Sequence, residues 1–205
     1  MIVIARIAVL FFVLSILSAC HPLRQGEARA SGVRAVTPEY IELENGQKLA
    51  LPFAGQEGAQ WVFLVRHAEK AYGSDPPLAA KGEKRARLLA DIFGDFPLDA
   101  LYSTHYKRTL ATAQPIARRK GLEVRPYQAD QLTTFALELR RQCRGQAVLV
   151  VGHSNTTPEL VSRLAARADV ERIDERDYSN LFLVAISGKG EREVVHLYFG
   201  ELWEE

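Results

Sequence analysis

Net charge is nearly absent from this chain: 26 lysines and arginines stand against 25 acidic residues, a formal balance of +1. That balance provides no whole-protein field for nucleic acid or an acidic polymer, so any preference for anions must come from local placement of arginines. Cysteine is scarce as well. Cys20 and Cys143 are the only two, too few for a disulfide framework. No His-x-x-x-His pair and no clustered carboxylate spacing appears, which argues against a metal site. Internal repeats and low-complexity tracts are missing too. What is present is a 47% hydrophobic share, typical of globular sequence. The 205 residues are enough for one well-buried domain and too few for two with linkers.

The N-terminus reads as a targeting segment rather than part of the fold. Arg6 gives a weakly positive start, Ile7 to Leu17 is an apolar stretch of signal-peptide length, and small residues close it. Leu17-Ser18-Ala19-Cys20 resembles the lipobox of bacterial lipoproteins. The resemblance implies that residues 1–20 are a lipoprotein signal peptide, with Cys20 lipidated and first in the mature chain. An uncleaved anchor over Ile2 to Ala19, or plain secretion with cleavage near Ala19, are the other readings. With Cys20 acylated, Cys143 is left unpaired. It sits among Arg140, Arg141 and Arg144 and reads as a passive thiol rather than a catalytic one.

Residues 21–37 are polar, with scattered arginines, and read as a flexible tether off the membrane. Residues 38–205 then form the folded domain. Within it, two short apolar runs flank Asn45-Gly46, a strong hairpin signal, so residues 38–55 read as a hairpin appendage. From Trp61 strand and helix alternate. Trp61 to Val65 and Ala147 to Val151 are continuous apolar runs, as expected of strands buried on both faces. Strands are also predicted at Leu98–Tyr102 and Leu122–Val124. Helices are predicted near Lys81–Phe93, Tyr106–Arg119, Thr133–Gln142 and Thr157–Ala168, with Pro115 breaking or kinking the second. Thr157-Pro158-Glu159 supplies a cap, a first-turn proline and an early acid for the fourth. Leu181–Ile186 and Val194–Phe199 close the chain as an antiparallel hairpin. The pattern implies an α/β fold: a three-layer α/β/α sandwich around a mostly parallel sheet.

Two of these strands stop abruptly at a histidine, Arg66-His67 and Gly152-His153. In an open α/β sheet, ligands bind beyond the carboxyl ends of the strands, so both imidazoles are expected at one crevice. Arg108, beyond a third strand, is expected there as well. Two imidazoles and two guanidiniums suit a phosphoryl group. Arginine's planar fork donates two parallel bonds to phosphate oxygens, and a neutral histidine nitrogen can attack phosphorus. Such a nucleophile needs its other ring nitrogen fixed, often by a backbone carbonyl.

This constellation resembles the histidine phosphatase superfamily, which includes the cofactor-dependent phosphoglycerate mutases, over about residues 61–199. Arg66-His67 matches its Arg-His pair. Pro77-Leu78-Ala79-Ala80-Lys81-Gly82 is similar to the run before its first helix. Ser103-Thr104 through Arg108 to Thr112-Ala113 is similar to its second arginine element, and Gly152-His153 to its Gly-His element. The resemblance implies a phosphoglycerate mutase-like fold and a metal-independent phosphomonoester hydrolase without cofactor. It also implies that His67 is phosphorylated and that Arg66, Arg108 and His153 bind the phosphoryl group. Asp130 is the expected general acid, and Glu69, two residues from the nucleophile, the second candidate. The region Arg125–Gln131 is too short for the acid-bearing insertion of the mutases, which disfavours a phosphomutase. Expected substrates are phosphorylated small molecules or envelope phosphosugars, met outside the cytoplasm through the lipid anchor. The competing reading is a catalytically weak lipoprotein that keeps the pocket as an anion receptor. His105, His196, Lys70 and Lys107 read as surface or structural residues, and His21 as part of the tether.

Overall fold

A computed structural model describes residues 31–166 and 170–201 of the chain. The lipobox, Cys20 and most of the tether lie outside the described residues. Among those described, no helix is long and apolar enough to cross a membrane.

The main sheet has six strands: β4 (Gln60–Arg66), β5 (Ala100–Ser103), β6 (Val124–Pro126), β7 (Ala147–Gly152), β8 (Asn180–Ile186) and β9 (Arg192–Tyr198). Their order is β6-β5-β7-β4-β8-β9. The first four run parallel, while β8 and β9 are antiparallel additions at one edge. Four helices cover the sheet: α1 (Ala80–Ile92), α2 (Lys107–Lys120), α3 (Leu132–Gln142) and α4 (Thr156–Ala165). The fold is therefore a three-layer α/β/α sandwich with a central, mostly parallel sheet.

Strand period explains why two cores form. Successive side chains point to opposite faces, so Phe63 and Val65 pack with α1 and α2, whereas Val62 and Leu64 pack with α3 and α4. The same alternation splits Leu149 from Val148 on β7 and Leu183 from Val184 on β8. Phe63 anchors the first core through edge-on contacts with Phe93 and Phe96 at 4.9 and 5.4 Å. Such pairs add about 1 kcal/mol each beyond the area they bury.

Several boundaries differ from the sequence reading: β5, β6 and β9 are shifted by one or two residues, and larger differences arise at the N-terminal sheet and α4. Val33–Val36 is a strand, β1, so the tether ends earlier than residue 37. With β2 (Tyr40–Leu43) and β3 (Lys48–Ala50) it makes a three-stranded antiparallel sheet. This unit is no appendage: Val33, Val36, Ile41, Leu43 and Leu51 are buried in the same core as α1. A two-stranded hairpin alone would bury too little to be stable. The Asn45-Gly46 turn itself forms as expected, with Gly46 at φ 82°. Pro115 does not break α2, which runs on to Lys120. Helix α4 begins one residue before the expected cap and ends at Ala165, with Ala166 in the left-handed region at φ 54°. The remainder of its expected span includes residues 167–169, outside those described. Thr157 is not the cap because its hydroxyl donates to the Val65 carbonyl at 3.3 Å, tying α4 to β4.

Candidate active site

The carboxyl ends of β4, β5 and β7 lie side by side. Arg66 pairs with Gly152, Ser103 with Val151, and the His67 amide donates to the Gly152 carbonyl at 2.9 Å. Register alone thus delivers His67, Thr104 and His153 to one edge. Beyond it opens a cavity of about 460 Å³ whose wall includes Arg66, His67, Arg108 and His153. The two imidazole rings are 5.5 Å apart, centroid to centroid.

His67 is buried and its tautomer is fixed. Its Nδ1 lies 2.8 Å from the Ala68 carbonyl, which can only accept, so Nδ1 carries the proton and Nε2 keeps its lone pair. Burial pushes its pKa down to about 3, and the charges of Arg66 and Arg108 push the same way. The ring stays neutral across the physiological range. The loop bearing it is pinned from both sides. The Ala68 amide donates to Thr112 Oγ1 at 2.9 Å, and that hydroxyl donates to the Arg108 carbonyl at 2.8 Å. On the other side, the Ala79 amide donates to the Glu69 carbonyl, and Gly82 packs against the same residue. A Cβ at Gly82 would stand 2.1 Å from that carbonyl oxygen, which explains the glycine in the first turn of α1.

His153 is fixed just as firmly. Arg108 Nη2 donates to its Nδ1 at 3.4 Å, so Nε2 carries the proton and donates to Thr104 Oγ1 at 3.0 Å. Burial first, then Arg108 and Arg66, lower its pKa to about 4. Gly152 before it admits no side chain: a Cβ would meet Tyr127 Oη at 2.8 Å and Thr157 Oγ1 at 2.9 Å.

The two guanidiniums are held differently. Arg66 Nη1 donates to the carbonyls of Asp174 and Asp177, both at 3.0 Å, and its Cζ lies 4.0 Å from the Tyr178 ring centroid. Arg108 lies over Tyr106 at 4.4 Å and meets the partly exposed carboxylate of Asp75 at 3.6 Å. In both arginines the Nε is buried without a hydrogen-bond partner. Preorganised donors of this kind stabilise charge that develops on transferring phosphoryl oxygens.

The two candidate acids part company. Asp130 is exposed on the cavity rim and contributes to its lining. Glu69 does not line the cavity. Both its oxygens are gripped by Arg85 at 2.9–3.0 Å, in a pair whose side chains are only 13% and 6% exposed. Arg85 also donates to the Phe199 carbonyl at 2.7 Å, so Glu69 serves as a structural tie. Lys70, read as a solvated lysine, lies in the cavity wall. His105 is exposed and stacks on Tyr106, and His196 is bonded to Asn180 at 2.7 Å. Cys143 is buried with its sulfur 3.5 Å from the Tyr102 hydroxyl. Sequence reasoning missed Glu175, a second acid in the cavity wall, and Tyr178, whose ring also stands 5.9 Å from His67. Both lie in a loop with no periodicity to flag them. Among the described residues no group of three or more His, Cys, Asp or Glu side chains is arranged to hold a metal ion.

Residues 62–132 match the family model of the histidine phosphatase superfamily, branch 1. The matched segment is about a third of the chain and contains Arg66, His67 and Arg108, so over these residues the chain is similar to that superfamily. One relative is phosphoserine phosphatase 1 of Hydrogenobacter thermophilus, 42% identical over 71 residues. That alignment covers 31% of this chain and about a third of the relative, 34%. The α-ribazole phosphatase of Shigella flexneri has a similar fold, with a TM-score of 0.58 and 16% identity over 71% of this chain and 99% of that one. So does a phosphoserine phosphatase from Entamoeba histolytica, solved with 3-phosphoglyceric acid, with a TM-score of 0.55 and 16% identity over 69% and 98%.

Proposed function

We propose that the chain is a phosphomonoester hydrolase working through a phosphohistidine on His67. The observation that carries this reading is the bond from His67 Nδ1 to the Ala68 carbonyl, which leaves Nε2 with a lone pair beside two guanidiniums. In the first step Nε2 attacks phosphorus, the phosphorus–oxygen bond to the alcohol breaks, and the leaving oxygen takes a proton from Asp130. In the second, a water gives a proton back to Asp130 and attacks phosphorus. The phosphorus–nitrogen bond breaks, inorganic phosphate leaves, and His67 is neutral again. Splitting the transfer this way replaces one hard displacement by two easier ones. Arg66 and Arg108 hold the equatorial oxygens, and His153 borders them while its Nδ1 keeps Arg108 aimed. Because the arginines supply the positive charge, turnover requires no metal.

The names of the relatives favour a phosphorylated small molecule as substrate. The lipobox-like Leu17–Cys20 favours a protein lipidated on Cys20 and working on envelope phosphosugars or phosphometabolites outside the cytoplasm. The test is hydrolysis of p-nitrophenyl phosphate in EDTA, beside His67→Ala, with a search for acid-labile phosphate on the protein. Metal-independent release that vanishes in the variant is expected. Tight phosphate binding without turnover would instead make the cavity an anion receptor. Membrane partition of wild type against Cys20→Ser tests the anchor.

A further inference from the structure

A second cavity, of about 320 Å³, opens at the other end of the sheet. Gln60, the first residue of β4, lines it, whereas Arg66, the last, lines the catalytic cavity. At about 3.3 Å per residue the two lie roughly 20 Å apart along one strand. The wall of the second cavity carries Arg140, Arg141, Arg144 and Lys189, and no acidic residue.

Basic residues in the last turn of a helix ordinarily answer its dipole, and Arg140 and Arg141 occupy that position on α3. The helix end does not account for the rest. Lys189 comes from the β8–β9 turn. Arg192 follows on β9 outside the lining, with its Nε buried and without a hydrogen-bond partner. Burial, and after it the charge of Arg140, lower the Arg192 pKa. Nothing in the wall offsets this. Glu191, the acid on the same turn, accepts a bond from Ser187 Oγ at 3.1 Å and does not line the cavity.

The floor is built by backbone rather than by mobile side chains. A Cβ on Gly188 would come within 2.3 Å of the Glu57 carbonyl, and one on Gly58 within 3.4 Å of Gly188 Cα. Arg144 Nη2 donates to the Gly188 carbonyl at 2.8 Å, fixing one wall to another. Chain segments at residues 57–58, 144 and 187–190 thus close on one another and fix Arg144, while Arg140, Arg141 and Lys189 stand exposed in the same wall. Like charges gathered around one cavity repel until an anion joins them. Guanidinium forks favour phosphate oxygens in particular.

We propose that this cavity is a second, non-catalytic anion site for a group bearing two or more phosphate charges. It holds no imidazole, so it binds and does not transfer. The same chemistry is offered by a soluble polyphosphorylated molecule and by a phospholipid headgroup, and the test separates them.

The full chain in non-ionic detergent is first saturated with tungstate, a phosphate mimic, to occupy the catalytic cavity. Titration with tripolyphosphate is then expected to show one remaining saturable site. Binding should weaken at least tenfold in Arg140→Ser/Arg141→Ser and several-fold in Lys189→Ser, an exposed hairpin position. Turnover of p-nitrophenyl phosphate without tungstate should stay at wild-type level in both variants, which shows that they fold. Micelles doped with phosphatidic acid, but not phosphatidylcholine, displacing tripolyphosphate would assign the site to a headgroup. Failure to displace would assign it to a soluble ligand. No saturable binding in the tungstate-loaded protein, or binding that Lys189→Ser and the double variant leave unchanged, would overturn the proposal.

Discussion

The two ends of β4 are both rich in guanidinium, yet only one has the means to do chemistry. At the Arg66 end, arginines surround two neutral imidazoles whose tautomers are set by Ala68, Thr104 and Arg108. At the Gln60 end the cations stand around glycine backbone with no imidazole among them. The difference follows from the parallel sheet. Carboxyl ends of β4, β5 and β7 converge with loops that enter helices, and those loops can carry His67, Arg108 and His153. The opposite end receives chain returning from α3 and the β8–β9 turn. Positive charge alone makes a binding site; a fixed lone pair within reach of it makes a reactive one.

The sharpest way to break this comparison is to remove the lone pair. His67→Ala should lower kcat for p-nitrophenyl phosphate by about 10⁴-fold or more, the scale seen when a covalent nucleophile is deleted. Binding of tripolyphosphate at the second cavity should not change. If the variant kept more than a hundredth of the activity, a direct attack by water would replace the covalent route.

The pH dependence tests the same feature. His67 titrates near 3 in the folded protein, against 6.5 for a free imidazole. The competent neutral form therefore persists as pH falls through 6.5 and is lost only near 3. The enzyme-borne acid limb of kcat/KM, after correction for the substrate's own ionisation, should appear below about pH 4. A limb near 6.5 would mean that His67 is not held neutral. The sign for stability agrees: the unfolded chain binds protons at His67 and His153 below 6.5 and the folded one does not, so stability declines from there toward the folded values of about 3 and 4.

Next in size comes the acid. Asp130→Asn should cost 10²- to 10⁴-fold in kcat on alkyl phosphates, whose leaving oxygens need a proton, and little on p-nitrophenyl phosphate. If Glu175→Gln shows that pattern and Asp130→Asn does not, the acid belongs to the other wall.

Glu69→Gln should behave oppositely. It leaves the buried Arg85 guanidinium unpaired, a change worth about 3 kcal/mol of stability for a buried pair. Urea denaturation should show that loss, while kcat per folded molecule stays within a few-fold of wild type. A large kcat effect with unchanged stability would return Glu69 to the reaction.

The contrast between Asp130 and Glu69 shows how far the sequence was readable. Apolar runs such as Trp61–Val65 and Ala147–Val151 announce strands buried on both faces, because both cores demand apolar residues on every position. The histidines at their ends follow from that alone. The fate of Glu69 does not, since it depends on Arg85 sixteen positions later and one helix turn in. Val33–Val36 escaped notice because two inward valines around Arg34-Ala35 carry too little pattern, and their burial is set by α1. Glu175 and Tyr178 lie in a segment ordered by tertiary contacts to Arg66, which no local spacing records.

Tyr178 gives the smallest expected effect and the finest test of how the reactive end is held. Its ring lies against the Arg66 guanidinium at 4.0 Å, while two backbone carbonyls take Nη1. A partly desolvated cation–π contact is worth about 1 kcal/mol, or roughly fivefold. Tyr178→Leu should therefore lower kcat/KM by about that factor, mostly through KM, since a loosened fork binds ground state and transition state alike more weakly. Tyr178→Phe keeps the ring face and should retain nearly full activity. If Phe proved as damaging as Leu, the hydroxyl rather than the ring would be the group that matters, and Tyr178 would move from steering Arg66 to touching the substrate.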